Sequence, residues 1–141
     1  DDVEITVQST PIELWRLAKF GADAGNPAIA GDLADPDFDG LGNLLEYALG
    51  LEPLTNSASP VTGDLETIGT EQYLRLTVTR NPAATDITFA VEVTGTLAPP
   101  APWTTNGTTI EANTPTLLRV RDNTPLGTIP TRFIRLKVTH P

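Results

Sequence analysis

Residues 35–46 read DPDFDGLGNLLE, an acidic stretch that ends in the pattern of a helix. Carboxylates stand at its positions 1, 3, 5 and 12, with a glycine at position 6 and an asparagine at position 9. This spacing is the complete D-x-[DN]-x-[DN]-G-x5-E loop pattern. It predicts a metal site with these candidate ligands: Asp35, Asp37, Asp39, the backbone carbonyl of Leu41, Asn43 and Glu46.

The alternating carboxylates match the chemistry of calcium. Ca²⁺ takes about 6–8 oxygen ligands at about 2.3–2.6 Å, and one turning loop supplies them from alternate positions. Gly40 permits the sharp turn because glycine adopts positive φ at little cost, and Glu46 would close the shell in bidentate fashion. The alternative interpretation is a solvated acidic turn. If the loop binds a cation, repulsion among its carboxylates predicts a poorly ordered loop without one.

Start and stop signals predict a helix before the loop, from about residue 10 to residue 20. Thr10 is a suitable N-cap, Pro11 takes the first helical position and Glu13 completes a capping box. Gly21 ends the helix. Residues 21–34 show no hydrophobic periodicity, so they are predicted to be a loop that leads to the metal site.

A second helix is predicted over residues 41–49, with Gly50 as its stop signal. In a true EF-hand the incoming helix ends at the first ligand, whereas here a loop of 21–34 intervenes. Gly42 at loop position 8 is a second departure, because paired EF-hands place an apolar residue there. A single loop without a partner predicts a lone structural site rather than a calcium sensor.

After a linker-like stretch at residues 51–60, the hydrophobic period changes from that of a helix to that of strands. Short alternating segments follow, separated by turn signals such as Asn106-Gly107. The predicted fold is mostly β: an antiparallel β-sandwich of fibronectin or immunoglobulin type, preceded by a small helix–calcium loop–helix module. The predicted units are an N-terminal strand or linker (1–9), the helical module (10–55) and the sandwich (61–141).

Composition limits the possible partners. The chain has 141 residues and a formal net charge of −9, which argues against nucleic acid and anionic membranes. It contains no cysteine, so disulfides and thiol redox chemistry are excluded. No apolar run approaches 18 residues, so no membrane insertion is expected. Because the sequence opens on Asp1, contains no methionine and shows no signal peptide, we expect an excised piece of a longer protein.

Three stretches carry a family resemblance: WRLAKFGADAGNPAIAGDLADPDFDGLGNLLEYALGLEPL, VTRNPAATDITFAVEV and the end VRDNTPL…RFIRLKVT. Together they resemble a C-terminal region of large secreted proteins typical of Verrucomicrobia and related bacteria, and the loop is similar to dockerin and thrombospondin type 3 repeats. That region tends to carry glycine where this chain has Phe38. The resemblance implies an extracellular or cell-surface, non-catalytic, calcium-stabilised accessory module whose partners are the neighbouring domains of its parent chain.

Catalytic constellations are missing from the sequence. A nucleophilic triad needs a base beside a serine or cysteine, but the single histidine, His140, is next to the end of the chain and is expected to be frayed. The acidic cluster is better explained by the calcium pattern than by a glycosidase carboxylate pair. No enzyme activity is therefore predicted.

Two other functions remain open. The first is a carbohydrate-binding module appended to a secreted enzyme, in which Tyr73 and Phe133 form an exposed strip and Trp103 is either a sugar platform or a cap on the sandwich. The second is a dockerin-like protein-interaction module, although dockerins use two loops in tandem. Basic residues also alternate outward along the strands, as a solvated face or a surface for an acidic partner: Arg75, Arg119, Arg121, Arg132, Arg135 and Lys137.

Overall fold

The computed structural model describes residues 2–127 and 131–141. Three α-helices come first: α1 (Pro11–Phe20), α2 (Pro27–Ala30) and α3 (Asn43–Leu49), with a 3₁₀ turn (Gly21–Gly25) between α1 and α2. Six strands follow: β1 (Val61–Ile68), β2 (Glu71–Thr79), β3 (Thr88–Thr94), β4 (Thr108–Thr114), β5 (Leu117–Asp122) and β6 (Phe133–Thr139). The mostly β prediction is confirmed.

The start of α1 forms as its sequence predicts. The Glu13 N–H donates to Thr10 Oγ1 at 3.4 Å, and the Thr10 N–H donates to Glu13 Oε2 at 2.8 Å, which is the reciprocal capping box. Gly21 ends the helix with φ +54°. Helix α3 likewise ends at Gly50 in the left-handed conformation, with φ +74°, but it begins at Asn43, two residues later than predicted.

The prediction that residues 21–34 form a plain loop is wrong, because they contain the 3₁₀ turn and α2. The sequence held a local signal for α2: Asn26 caps the helix by accepting from the Ala28 N–H at 3.1 Å, and Pro27 takes the first position. Gly31 then ends α2. A Cβ at Gly31 would lie 2.3 Å from the Pro27 carbonyl oxygen, so this turn requires glycine.

The strands form two antiparallel sheets. One has four strands in the order β1-β2-β5-β4, and the other pairs β3 with β6. In the larger sheet Leu76 lies opposite Val120 and Val78 opposite Leu118, so the apolar residues of neighbouring strands share one face. A register shift in β4 between Ile110 and Ala112 interrupts its pairing with β5.

Two hydrophobic clusters join the predicted helical module to the strands. The first cluster contains one residue of α3, Leu49, together with buried residues from both sheets: Leu76, Val78, Val91, Leu118 and Val120. The second combines helical and loop positions: Ile12, Tyr47, Ala48, Ala84 and Ile87. Because each cluster draws on residues before and after the 51–60 segment, the helices pack directly on the strands. Pro53, inside that segment, is itself fully buried.

The N-terminal segment forms no strand in the described chain. Residues 2–10 belong to no helix or strand, and the alternating Val3, Ile5 and Val7 are each more than 80% exposed, at 85%, 82% and 86%. Of the two predicted states, strand or linker, the strand is therefore absent here. The physical reason is that an extended segment becomes a strand only when a neighbouring edge accepts its hydrogen bonds.

Asp86, which precedes β3, fastens two helices to the β region. Its Oδ2 accepts from the Ile12 N–H of α1 at 3.0 Å, and its Oδ1 accepts from the Tyr47 hydroxyl of α3 at 2.6 Å. Burial raises the pKa of Asp86, but these hydrogen bonds and the nearby His140 outweigh it and hold that pKa below its ordinary value. Burial, with the bond to Asp86, raises the pKa of Tyr47.

The C-terminus is also anchored, and the prediction that His140 is frayed is wrong. His140 Nδ1 lies 3.0 Å from Asp32 Oδ2, and Asp32 also pairs with Arg16 of α1. The Asp32 carbonyl accepts from the Leu44 N–H of α3 at 3.0 Å. One residue thus ties together α1, α3 and the end of the chain.

We predict that Asp86→Asn lowers the free energy of unfolding by about 1–2 kcal/mol at neutral pH, because charge-assisted hydrogen bonds are lost. The folded-state pKa of Asp86 is lowered, so its contribution is present above the ordinary aspartate pKa and is lost as the pH falls through the folded value. Urea melts at about pH 7 and about pH 3 should show the gap between the variant and the native chain narrowing in acid. The exposed Asp23→Asn is the matched control; a gap that stays constant with pH would contradict this role.

Candidate metal centre

The three aspartates of the 35–46 loop converge. Asp35, Asp37 and Asp39 each offer a carboxylate oxygen, and these oxygens lie within 4.8 Å of one another. All three residues are half-buried. Such a group of hard oxygen donors can hold a metal ion. The alternation seen in the sequence therefore places its first three predicted ligands around one point.

Backbone N–H groups of the loop fix these carboxylates. Asp35 accepts from the Asp39 N–H at 3.2 Å and from the Gly40 N–H at 3.0 Å. Asp37 also accepts from the Asp39 N–H at 3.2 Å, and Asp39 accepts from the Leu41 N–H at 2.8 Å. The turn at Gly40 has φ +90°, a conformation that glycine adopts without strain. The loop thus orients its carboxylates through its own backbone.

Glu46, the predicted ligand at position 12, is more deeply buried than the three aspartates. Its side chain on α3 is buried, with 0% of the residue exposed, and neither carboxylate oxygen has a hydrogen-bond partner among the described residues. Burial, followed by repulsion from Asp37, Asp39 and Asp35, raises the pKa of Glu46 to about 7. A buried carboxylate without partners is costly, and a cation bound between it and the aspartates would remove that cost.

Asp37, one of the three converging aspartates, also has a buried oxygen without a partner and a raised pKa. Its Oδ2 is buried and has no hydrogen-bond partner among the described residues. Burial chiefly, with the charges of Asp39 and Asp35, raises the pKa of Asp37. Glu46 is not a member of the trio whose oxygens lie within 4.8 Å, so the closed ligand set predicted from the sequence is formed only in its aspartate part.

Asn43, the predicted ligand at position 9, uses its amide nitrogen to hold α2 against α3. Its buried amide nitrogen donates to the carbonyl oxygens of Ile29 at 2.8 Å and Gly31 at 2.9 Å. These two bonds hold the end of α2 against the start of α3. The Asn43 Oδ1 is buried and has no partner among the described residues, so this oxygen stays available as an acceptor. Leu41 follows the trio directly, and its N–H is the donor to Asp39.

Residues 32–34 lie against the backbone next to Gly42. The first two N–H groups of α3 donate to backbone carbonyls that precede the acidic loop. Asn43 donates to the Ala34 carbonyl at 2.9 Å, and Leu44 donates to the Asp32 carbonyl at 3.0 Å. A Cβ at Gly42 would lie 3.1 Å from the Asp32 carbonyl oxygen, so a larger residue would crowd this contact. The edge on which paired EF-hands meet is thus covered by residues 32–34.

The loop also reaches beyond the helices. The second oxygen of Asp39 accepts from the Ser57 N–H at 2.9 Å. Ser57 lies in the 51–60 segment that leads into β1, so the position of the candidate metal loop is coupled to the entry of the β region. Sequence reasoning missed this contact because no local pattern relates Asp39 to a residue 18 positions away.

The three candidate ligand-binding aromatics lie on different elements of the fold. Tyr73 lies in β2 of the four-stranded sheet and Phe133 in β6 of the two-stranded sheet, so the predicted strip would have to combine residues of both sheets. The guanidinium carbon of Arg121 lies 4.9 Å from the Tyr73 ring centroid. That of Arg135 lies 4.1 Å from the ring centroid of Trp103, which is half-buried. Both rings therefore have one face covered by an arginine.

The outward basic residues are largely neutralised by the chain's own acids. Arg75 pairs with Asp64 at 2.6 Å, and Arg121 contacts Glu111 at 3.4 Å. Further ion pairs join Arg121 to Glu66, Arg132 to Asp122, and Arg135 and Lys137 to Glu92. These contacts favour the solvated-face interpretation over a surface for an acidic partner.

The chain matches no protein-family model, no curated protein and no solved structure. Within residues 2–127 and 131–141, no helix has the length and apolar character needed to cross a membrane.

Phe38 occupies a strained position in the loop. Its φ is +60°, in the left-handed region, and its side chain is 87% exposed. The left-handed conformation costs a residue with a Cβ about 1–2 kcal/mol. The exposed ring contributes little packing in return.

We predict that Phe38→Gly stabilises the folded chain by about 0.5–1 kcal/mol, the relief of strain less the larger entropy that glycine loses on folding. Chemical denaturation measures the change. Phe38→Ala is the matched control, because it removes the ring but keeps the Cβ that causes the strain. Equal stability of the two variants would contradict strain at this position.

Proposed function

We propose that the chain is a calcium-stabilised, non-catalytic accessory module of a secreted or cell-surface bacterial protein. The observation that carries this proposal is the burial of Glu46, with both oxygens unpartnered, beside the three converging aspartates. A carboxylate that is buried without a proton donor or cation opposes folding. Three converging aspartates, with Glu46 close enough to be repelled by their charges, are best explained as a site that folds around a cation.

Calcium fits this donor set better than the other common divalent cations. Ca²⁺ accepts about 6–8 oxygen ligands in flexible geometry, whereas Mg²⁺ demands near-ideal octahedral geometry at about 2.0–2.1 Å. Zinc and copper sites generally include nitrogen or sulfur ligands, and the described residues of the loop offer only oxygens. Asp35, Asp37, Asp39 and Glu46 would hold the ion, with the Leu41 carbonyl and Asn43 as further candidates.

The proposed role of the site is to join the helices to the β region. Glu46 lies on α3, three residues before Leu49, which packs in the first hydrophobic cluster. Asp39 accepts from Ser57 in the segment before β1. An ion bound by both Glu46 and Asp39 would fix the positions of the acidic loop, α3 and the segment before β1 relative to one another. In a longer chain, this would set the angle at which a preceding domain joins.

The same proposal includes the β-sandwich of fibronectin or immunoglobulin type. It is supported by the first hydrophobic cluster, which combines Leu76 and Val120 of the four-stranded sheet with Val91 of the two-stranded sheet. Antiparallel sheets that share an apolar layer are the basis of sandwich folds. Export is supported by the family resemblance and by the abundance of calcium outside cells.

The two other functions have less support. For carbohydrate binding through Tyr73, Trp103 and Phe133, the arginines stacked on Tyr73 and Trp103 leave each of these rings one free face at most. For a dockerin-like interaction, residues 32–34 already cover the edge on which a second loop would pair. The calcium-stabilised module requires neither a free aromatic platform nor a second loop.

We predict that calcium raises the melting temperature of the native chain and that Glu46→Gln abolishes this response. With Kd on the order of 10⁻⁴–10⁻³ M, as for extracellular modules, about 10 mM calcium would add about 1.4–2.7 kcal/mol to the free energy of unfolding. Thermal melts with calcium, with magnesium and with a chelator measure the shift. Asp39→Ala should also melt lower and not recover when calcium is added.

Asp23→Asn is the control for these melts, because it removes an exposed carboxylate outside the loop and should keep the full response. Identical melting of the native chain in calcium and in chelator would refute the proposed function. A response to magnesium as large as that to calcium would overturn the choice of metal.

Limited proteolysis tests the proposed link between the loop and the β region. Phe38 and Leu54 are exposed chymotrypsin sites, at 87% and 57%, in the loop and in the segment that Asp39 contacts. Calcium should slow cleavage after both residues, because a loop held by the ion unfolds less often into the active site of the protease. Cleavage after Leu97, which is 55% exposed and outside this region, is the internal control. Calcium that slows all three sites equally, or none, would count against the link.

A further inference from the structure

A cleft of about 340 Å³ opens between the two sheets, away from the metal loop. Residues around β3 form one wall, and residues of β4 and β5 with the loop before β4 form the other. The lining is mixed, with apolar Phe89 and Ile110 beside polar Thr105, Thr108 and Asn113. Its volume lies at the lower end of the range of about 300–1,000 Å³ for small-molecule sites, so a suitable occupant is small.

Arg80, just beyond the end of β2, carries an unpaired charge into this cleft. Within the part of the chain that the structure describes, the acceptors of its Nη2 are neutral oxygens: Asn113 Oδ1 at 2.9 Å, the Leu117 carbonyl at 3.3 Å and the Thr114 carbonyl. Its guanidinium carbon lies 5.2 Å from the ring centroid of Phe89, and its Nε is buried without a partner among the described residues. Burial lowers the pKa of Arg80, as expected for a cation without a counter-ion.

This lack of a carboxylate is unusual in an acidic chain. The sequence has 9 basic side chains against 18 acidic ones. Among the described residues, these basic side chains form ion pairs with a carboxylate: Arg16, Lys19, Arg75, Arg121, Arg132, Arg135 and Lys137. Arg119 also lacks such a pair, but it lies on β5 and donates to Thr77 Oγ1 at 3.2 Å. Arg80 is the unpaired cation that lines a cleft.

We propose that this cleft binds a uronic acid, a sugar ring that carries one carboxylate. The carboxylate would meet the guanidinium of Arg80, because arginine and carboxylate form strong charge-assisted hydrogen bonds. The C–H face of the ring would lie against Phe89 and Ile110. Its hydroxyls would exchange hydrogen bonds with Thr105, Thr108 and the Asn113 amide. The inference is independent of the metal loop, so either proposal can fail without the other.

The single cation and the charge of the chain favour this ligand over other anions. A phosphate group carries more charge than one arginine offsets, and its binding sites usually combine several N–H groups or cations. A nucleic acid would also be repelled by the net charge of −9. A monocarboxylate with an amphipathic body matches both the charge and the mixed lining of the cleft.

The test is an NMR titration of the ¹⁵N-labelled chain in constant calcium with galacturonate, its neutral methyl ester and acetate as separate probes. Galacturonate should shift the amide resonances of Thr105, Thr108 and Asn113. The methyl ester should bind about tenfold more weakly, because the charge-assisted bond is lost, and acetate should also bind more weakly, because it lacks the ring. No shifts in the cleft with galacturonate, or equal affinity for the ester, would overturn the proposal. Equal affinity for acetate would overturn the assignment of a sugar.

Variants at Ile110 test the charge requirement without touching the core, because Ile110 is 60% exposed at the mouth of the cleft. Both Ile110→Glu and Ile110→Lys remove the apolar contact of Ile110, so they are compared with each other. Ile110→Lys should bind galacturonate several-fold more tightly than Ile110→Glu, with the two variants equally stable. Arg80→Gln should reduce affinity about tenfold, and Arg119→Gln, which removes the other unpaired arginine, should leave it unchanged. Equal affinity of the Ile110→Glu and Ile110→Lys variants for galacturonate would refute a carboxylate site in this cleft.

Discussion

The buried carboxylate of Glu46 is the constraint on which the helical part of the structure depends. The residue sits in α3, where Tyr47, Ala48 and Leu49 pack into the two hydrophobic clusters. Because those neighbours must face the core, the helix has no freedom to turn Glu46 toward solvent. The carboxylate therefore stays buried beside three aspartates, whose charges contribute to the raised pKa of Glu46. The packing of α3 thus buries a carboxylate that no other residue of α3 neutralises or hydrogen-bonds.

The helices and strands are fastened by polar contacts at two further points. Asp86 accepts from Ile12 of α1 and Tyr47 of α3, while Asp32 joins Arg16 to His140 at the end of the chain. Each is a carboxylate with several partners, in contrast to Glu46. The same side-chain chemistry therefore has opposite effects: it stabilises where donors surround it and destabilises where other carboxylates do.

Local signals allowed much of the architecture to be predicted from the sequence. The capping box at Thr10, the stop at Gly50 and the alternation in β2 and β5 depend on near neighbours, and each appears in the structure. Helix α2 had the same kind of signal at Asn26-Pro27, but small residues around it hid the pattern. The spacing of the aspartates likewise predicted their convergence.

Contacts between distant parts of the chain escaped prediction for a physical reason. His140 meets Asp32 across 108 positions, and the use of Asn43 as a donor to Ile29 and Gly31 depends on how α2 packs against α3. The alternation of apolar and polar residues predicts that Tyr73 and Phe133 point away from the core, but it does not predict which sheet each strand joins. Pairing of the outward arginines with acids depends on strand register, which is set only when the sheet assembles.

Glu46 and Arg80 are two groups of opposite charge type that lack an ion pair among the described residues, where most basic residues are paired with acids. Glu46 lies buried among carboxylates, and Arg80 lines a cleft with only neutral oxygens around its guanidinium. A folded protein pairs or solvates its buried charges because isolation in a medium of low dielectric is costly. Both sites depart from this rule, and neither has an ion-pair partner within residues 2–127 and 131–141. At each of them a bound group of opposite charge would offset the cost of burial.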